Sequence, residues 1–400
     1  MASSTRSTHD PSTAHLALPF FDEAHRALAR DLLPWAAAQS VDERDDRAAC
    51  RDWVRRLGDG GWLRYCVPAS VGGALERLDS RALVLLRETL AFHSPLADFA
   101  FAMQGLGSGA ITLAGSAAQQ ADYLAAVGRG DKIAAFALSE PEAGSDVGAM
   151  AMRAEPDGEG WRLTGQKTWI SNGGIADFYC VFAKTDPSAG ARGITAFIVD
   201  ATTPGLDSSQ HIEVMAPHPL ATLDFDGCRV PRTAQLGDLH GGFKLAMRTL
   251  DIFRASVAGA ALGMARRALS DAIQHAQQRK MFGQTLADFQ LTQARLGEMA
   301  ALIDGAALLT YRAAWMRDEA EQRGGPAVGD LTAAAAMAKM CATENASCVI
   351  DMALQMHGGL GVKVGTKVES LYRDIRSLRI YEGATEVQQL IIGKAALRGA

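Results

Sequence analysis

Ala135-Phe136-Ala137-Leu138-Ser139-Glu140-Pro141-Glu142-Ala143-Gly144-Ser145-Asp146 separates two regimes of a 400-residue chain. An apolar run here meets a loop with Pro, Gly and two hydroxyls, the pattern of a strand ending in a turn. Upstream, from Leu18 to about Asp131, Ala, Leu and Arg are dense. Apolar residues recur there three and four apart, as at Phe21, Ala24, Leu28 and Leu32, with Pro34 following; that spacing marks one helix face. A Gly72-Gly73 turn interrupts the block. Downstream, Trp161-Arg162-Leu163-Thr164 follows a Pro156-Asp157-Gly158-Glu159-Gly160 turn. Residues 178–182 and 194–199 also read as strands. Beyond Gly242 helical spacing returns, with Leu296, Met299, Ile303 and Ala306 on one face. Met337, Cys341, Cys348 and Met352 lie on another long segment, and such stripes predict core packing first. The expected order is a mobile tail over 1–17, helices over 18–132, a compact β-domain over 133–241 and an up-down helical bundle over 242–400.

Composition narrows the function classes. Hydrophobic residues make up 48% and charged residues 21%, ordinary for a globular protein able to bury a core without disulfides or metals. A net charge of -5 without any Lys/Arg run argues against nucleic-acid binding. Cys50, Cys66, Cys180, Cys228, Cys341 and Cys348 form no C-x-x-C pair and no zinc spacing, which predicts buried free thiols, no metal and a reducing compartment. No signal-peptide pattern opens the chain, and the longest uncharged run, 99–121, is too rich in Gly, Gln and Ser for a membrane span. A cytoplasmic protein is expected. No G-x-G-x-x-G follows a strand, so a Rossmann fold is not.

Five segments can carry chemistry. In the opening loop, backbone N–H groups and the Ser side chains could approach a phosphate or a polar ring edge, although an ordinary turn explains the same residues. In Gly165-Gln166-Lys167-Thr168-Trp169-Ile170-Ser171-Asn172-Gly173, a strand would put Trp169 and Ser171 on one face, as a wall for a planar ring or simply as core. Arg279, in Gln278-Arg279-Lys280-Met281-Phe282-Gly283, answers a helix C-terminus or clamps a phosphate. The glycines of Gln355-Met356-His357-Gly358-Gly359-Leu360-Gly361 cap a helix or admit a ligand. Finally, in Tyr381-Glu382-Gly383-Ala384-Thr385-Glu386-Val387-Gln388, Thr385 and Gln388 have capping-box spacing. That leaves Glu382 in the loop entering a helix, where a lone Glu is usually solvated.

Together and in this order, the five segments resemble the acyl-CoA dehydrogenase family, whose patterns are [TS]-E-P-x-A-G-S-D, K-x-W-I-[ST]-N, R-K-x-F-G, Q-x-x-G-G and Y-E-G-[TA]. The similarity runs from about Phe21 to Leu397. It implies a mainly α fold with a central β-domain between an N-terminal helical domain and a C-terminal four-helix bundle, FAD at a subunit interface, and a homotetramer. By this resemblance Phe136, Leu138, Ser139, Gly144 and Ser145 line the flavin, and Ser145 also meets substrate. Trp169, Ile170 and Ser171 face its ring, and Ala384, Thr385 and Glu386 lie along the cofactor. Arg279, Phe282, Gln290, Gln355, Gly358 and Gly359 reach a neighbouring subunit's FAD. Many relatives have Thr where Ala384 stands, so any contact there falls to backbone.

The same resemblance makes Glu382 the base that removes a thioester's α-proton, with the hydride going to flavin and an electron-transfer flavoprotein as onward acceptor. Two hydrogen bonds, one from the base's own backbone N–H, would stabilise the enolate-like transition state. Tyr381 and Gly383 would flank the substrate, and Asp251 and Arg254 would hold the pantetheine arm or the base's loop. Some relatives carry their base at the position of Phe253, which cannot serve. An acyl-CoA oxidase using oxygen and a dehydrogenase of carrier-protein thioesters are the rival readings. Phe99 and Phe101 could narrow the acyl pocket or be helix core. The absence of Arg beside them leans toward a short, branched or cyclic monocarboxylic acyl group.

Overall fold

The computed structural model describes residues 12–323 and 330–399. Helices come first: α1 (Glu23–Ala37), α2 (Asp46–Asp59), α3 (Ser80–His93), α4 (Pro95–Ala114), and the short α5 (Ala117–Gln119) and α6 (Ala125–Arg129). Strands follow as β1 (Ala134–Ala137), β2 (Arg153–Asp157), β3 (Gly160–Ser171), β4 (Phe178–Lys184), β5 (Ile194–Asp200), β6 (Leu206–Ile212), β7 (Leu220–Pro231) and β8 (Gln235–Leu236). Then come α7 (Gly242–Gln278), a hairpin of β9 (Lys280–Met281) and β10 (Gln284–Thr285), α8 (Gln290–Arg323), α9 (Leu331–His357), α10 (Lys367–Leu378) and α11 (Thr385–Gly399). The expected mainly α architecture with a central sheet is what forms. The chain packs as two compact units, one of Met1–Ser40, Ser80–Asp98 and Arg254–Ala400, the other of Val41–Asp79 and Phe99–Phe253.

The second unit holds the sheet, ordered β6-β7-β3-β2-β4-β5-β8, with β1 parallel to β4. Residues Phe178 through Ala183 of β4 are all buried, as expected of a strand covered on both faces, whereas β6 is a polar edge strand. In the same unit α4 carries the long uncharged run. Its glycines answer a packing need: a Cβ on Gly107 would sit 2.7 Å from the Ala134 carbonyl carbon of β1.

In the first unit α3 is buried from Ser80 to Phe92 although it carries three charges. Each is paired: Arg81 with Asp318 at 2.8 Å, Arg87 with Asp98 at 2.7 Å, and Glu88 with Arg266 at 2.6 Å. Burial without such partners would cost several kcal/mol per ion. Two expectations need correction. Ala14–Ala17 is a 3-10 turn rather than mobile tail, because the His15 ring stacks at 5.3 Å on Tyr311 and Leu16 is buried; residues 1–11 of that tail lie outside the described residues. On α9 the buried face is Ala338, Lys339, Ala342, Thr343, Ala346, Val349 and Ile350, not the Met337–Met352 stripe. Ala338, Ala342 and Ala346 recur four apart on this face, which leaves the Met and Cys side chains on its flanks. Cys348 is accordingly exposed and Cys341 half-buried, while the other four thiols are buried.

Candidate functional site

Five non-glycine residues have left-handed backbone among the described residues: Trp169, Asn172, His240, Phe282 and Glu382. This conformation is costly for residues with a Cβ and gathers at functional sites. Three of the five are residues that sequence reasoning assigned to chemistry.

In the sheet unit the first two motifs brace one another. Lys167 is fully buried; its Nζ donates to Glu140 Oε1 at 2.8 Å and to the Leu138 carbonyl at 3.0 Å. Burial pulls its pKa down to about 8, against the pull of Glu140. Glu140 also accepts from the Met152 N–H at 3.1 Å, and the Thr168 N–H donates to the Ser139 carbonyl at 3.0 Å. The loop that follows is open: Gly144 and Ser145 are exposed, and a Cβ on Gly144 would meet nothing within 4 Å. Phe136 is half-buried against Phe182, 5.0 Å between ring centroids.

Simple strand alternation does not place Trp169. Thr168 and Trp169 together face Thr222, a bulge between the Lys167–Leu223 and Ile170–Ala221 pairs. With φ at 58°, the bulge lifts the indole until it is 59% exposed, while Ile170 turns into the core. The Ser171 hydroxyl is 2.9 Å from His218 Nε2. His218 packs on Phe99, 3.9 Å between centroids, and burial pushes its pKa down to about 3, so the ring is neutral. Phe99 and Phe101 are both buried, and Phe99 is engaged with that ring.

The helical unit holds Glu382 between α10 and α11, in a loop fastened to α9. Lys339 Nζ donates to the Gly383 carbonyl at 2.7 Å, and Gln388 Nε2 donates to the same oxygen at 3.0 Å. Arg379 Nε and the Thr385 hydroxyl donate to Glu344 Oε1 at 2.8 and 2.6 Å. Thr385 therefore starts α11 without forming the expected capping box, because its hydroxyl goes to Glu344 and the Gln388 amide to Gly383. Glu382 is half-buried, yet its Oε2 is closed to solvent and has no hydrogen-bond partner. Burial raises its pKa, opposed by Arg87, Lys339 and Arg254 and reinforced by Asp98. A carboxylate raised by burial but surrounded by cations is poised to ionise and take a proton. Arg254 is buried beside the loop, its Nε 3.9 Å from where a Gly383 Cβ would be, which favours its loop-holding role. Asp251 belongs to the other unit and is half-buried. Glu386 is exposed, and Tyr381 and Ala384 are half-buried.

A separate concavity of the helical unit, about 910 Å³, is lined by Arg279, Arg295, His275, Gln355, Gly358 and Gly359 among others. A Cβ on either glycine would meet nothing within 4 Å. Guanidiniums, an amide and open glycines suit a phosphate-bearing ligand. Phe282 and Gln290 stand outside this lining, exposed beside it in sequence; Phe282 is 88% exposed on the β9–β10 hairpin. The implied flavin thus fits on two observations: an exposed aromatic held by strained backbone in the sheet unit and, in the helical unit, an open cavity of dinucleotide size whose mostly apolar wall carries a few polar groups. Sequence reasoning missed Arg87, Asp98, Lys339, Glu344 and His218. Ionic residues inside apolar helices, and a His between Pro217 and Pro219, were the available signals. Among the described residues no group of three or more His, Cys, Asp or Glu could hold a metal ion, and no helix is long and apolar enough to cross a membrane.

The chain matches three family models: acyl-CoA dehydrogenase N-terminal domain over residues 19–131, middle domain over 135–228 and C-terminal domain over 240–397. It is 38% identical to the 3-(aryl)acrylate reductase of Clostridium sporogenes, covering 95% of this chain and 100% of that protein. To a caffeyl-CoA reductase-Etf complex subunit of Acetobacterium woodii it is 35% identical, over 93% and 97%. The solved butyryl-CoA dehydrogenase of Megasphaera elsdenii superposes with a TM-score of 0.86 at 31% identity, covering 94% of this chain and 99% of that one.

Proposed function

The chain belongs to the acyl-CoA dehydrogenase family of oxidoreductases, and from that premise we propose that it is an FAD enzyme that introduces an α,β double bond into an acyl-CoA thioester, with Glu382 as base. The buried, unpartnered Oε2 of Glu382 beside three cations carries this reading. Water is excluded from that oxygen, so it is free for a C–H proton rather than engaged with solvent. Glu382 takes the α-proton, and the electron pair left behind forms the double bond as hydride leaves the β-carbon. FAD, when bound, supplies the acceptor for that hydride. Trp169, Ser171 and the loop through Gly144 and Ser145 would hold the flavin, and Tyr381 and Gly383 would border the substrate. Arg279, Gln355, Gly358 and Gly359 would hold the phosphate-bearing portion. That cavity would take the cofactor of a second copy in a homotetramer, and the exposed Phe282, Leu291 and Val364 support such a contact. Four buried free thiols fit the cytoplasm.

Two relatives are named for reductases, one of an acrylate and one of caffeyl-CoA, and reduction of such a double bond is this reaction reversed, with the carboxyl returning a proton to the α-carbon. The Etf named for one of them supports an electron-transfer flavoprotein as redox partner. Anaerobic titration of the purified protein with butyryl-CoA, branched and arylpropanoyl thioesters, as CoA and carrier-protein derivatives, tests the proposal by flavin bleaching. Bleaching by carrier thioesters alone would shift the reading to that class, and rapid peroxide formation in air would make it an oxidase. General-base catalysis is worth about 10²–10⁴-fold. Glu382→Gln should keep FAD and lose at least that much; a reduction rate near wild type would remove Glu382 as base.

A further inference from the structure

Resting on the reading of Glu382 as base, we infer that the buried Arg87–Asp98 pair positions the Glu382 loop and sets the charge that its carboxylate feels. Both side chains are almost fully enclosed, 2% and 3% exposed. Arg87 meets Asp98 in a fork, Nε to Oδ1 at 2.7 Å and Nη2 to Oδ2 at 3.0 Å. Its Nη1 donates to Ser256 Oγ on α7 at 3.0 Å, and the guanidinium also donates to the hydroxyl of Tyr381, the residue before the base. One side chain thus ties α3, α4, α7 and the base's loop together. As a stability device the pair is a poor choice, because apolar residues of equal volume usually do as well as a buried ion pair. Geometric and electrostatic control of a neighbour is the use that remains. Lys339, with Gln388, fastens the far side of the same loop at Gly383, so Tyr381 and Gly383 are held on either side of Glu382.

The two members act on the base with opposite sign. Arg87 favours the ionised carboxylate and Asp98 disfavours it; the other charges facing Glu382 are Lys339 from α9 and Arg254 from α7. Arg87→Met should therefore move the protonation of Glu382 to higher pH, and Asp98→Asn to lower pH. Arg87→Lys keeps the charge without the fork, so it should leave the titration near wild type while slowing flavin reduction about tenfold or more.

Two readouts separate this proposal from the one beneath it. The infrared carboxyl stretch of Glu382, identified by its loss in Glu382→Gln, is titrated in each FAD-loaded variant, and the acid limb of anaerobic flavin reduction is measured alongside. Opposite displacements of the band in Arg87→Met and Asp98→Asn, with Arg87→Lys between them, support the pair as positioning device. A band that stays put in Asp98→Asn, with reduction unslowed in Arg87→Lys, both variants being expected to fold, overturns it. If the infrared shifts appear but Glu382→Gln still reduces flavin, the base assignment fails while the electrostatic coupling stands.

Discussion

Replacing Gly383 with Ala tests whether the base's loop is held by its carbonyl clamp. Gly383 has φ of 97°, and its carbonyl receives both Lys339 and Gln388. A Cβ at that position would lie 2.3 Å from Gln388 Nε2, so the amide must leave. Holding Ala in left-handed backbone costs about 1–2 kcal/mol, and losing the amide bond about 0.5–1.5 kcal/mol more. Gly383→Ala should therefore destabilise the protein by about 1.5–3.5 kcal/mol. Because the loop can relieve the strain only by rotating Glu382, flavin reduction should fall by about tenfold or more. Urea unfolding at fixed FAD gives the first number and anaerobic rapid mixing the second. Gln388→Ala removes the obstacle, so the double variant should cost less than the sum of the singles. Wild-type stability and rate in Gly383→Ala, or strict additivity in the cycle, would refute the clamp.

Two predictions concern the sheet unit. Lys167→Met leaves Glu140 buried without its cation and should cost about 3–5 kcal/mol in urea unfolding, most of it recovered in the double variant with Glu140→Gln; a loss below 1 kcal/mol, roughly the surface-pair range, would contradict the brace. His218 is held neutral in the fold with a pKa pushed down to about 3, whereas the unfolded chain takes up its proton near the ordinary 6.5. Stability from this group is therefore lost as pH falls from 6.5 toward 3, at up to about 1.4 kcal/mol per pH unit. His218→Asn should flatten that dependence between pH 6 and 4, and an unchanged slope in urea midpoints would show that the histidine titrates normally.

The sequence displayed the architecture well because periodicity reports burial directly: β4 and β5 fall where their apolar runs do, and α7 to α9 follow the helical spacing. Motif order was legible for the same local reason, since each motif is a short continuous stretch. What stayed hidden depends on contacts distant along the chain. Trp169 reads as one face of a regular strand until β7 imposes a bulge. Arg87 and Asp98 are eleven residues apart on two helices, and only folding shows that they share Tyr381. The offset of the α9 core face follows the alanines at 338, 342 and 346, which a stripe of Met and Cys does not mark. Glu140 and Lys167 stand in two of the motifs without a visible role, and their buried pairing gives them a structural task. The β9–β10 hairpin, two residues per strand, is too short to leave a period.

The helical unit draws on three separate stretches of chain, and this gives biosynthesis a definite order. Every residue of the sheet unit has been translated once Phe253 is made, so that unit can close early. α1 and α3 must wait, with Arg81 and Glu88 still hydrated, for partners that are translated later. Ser256 and Arg266 arrive soon after, Asp318 later, and Tyr381 almost last. A nascent chain halted before α7 would therefore display α3 without Arg266 and Asp318 to chaperones and proteases, and the acidic group at residue 382 reaches its setting only when synthesis is nearly over.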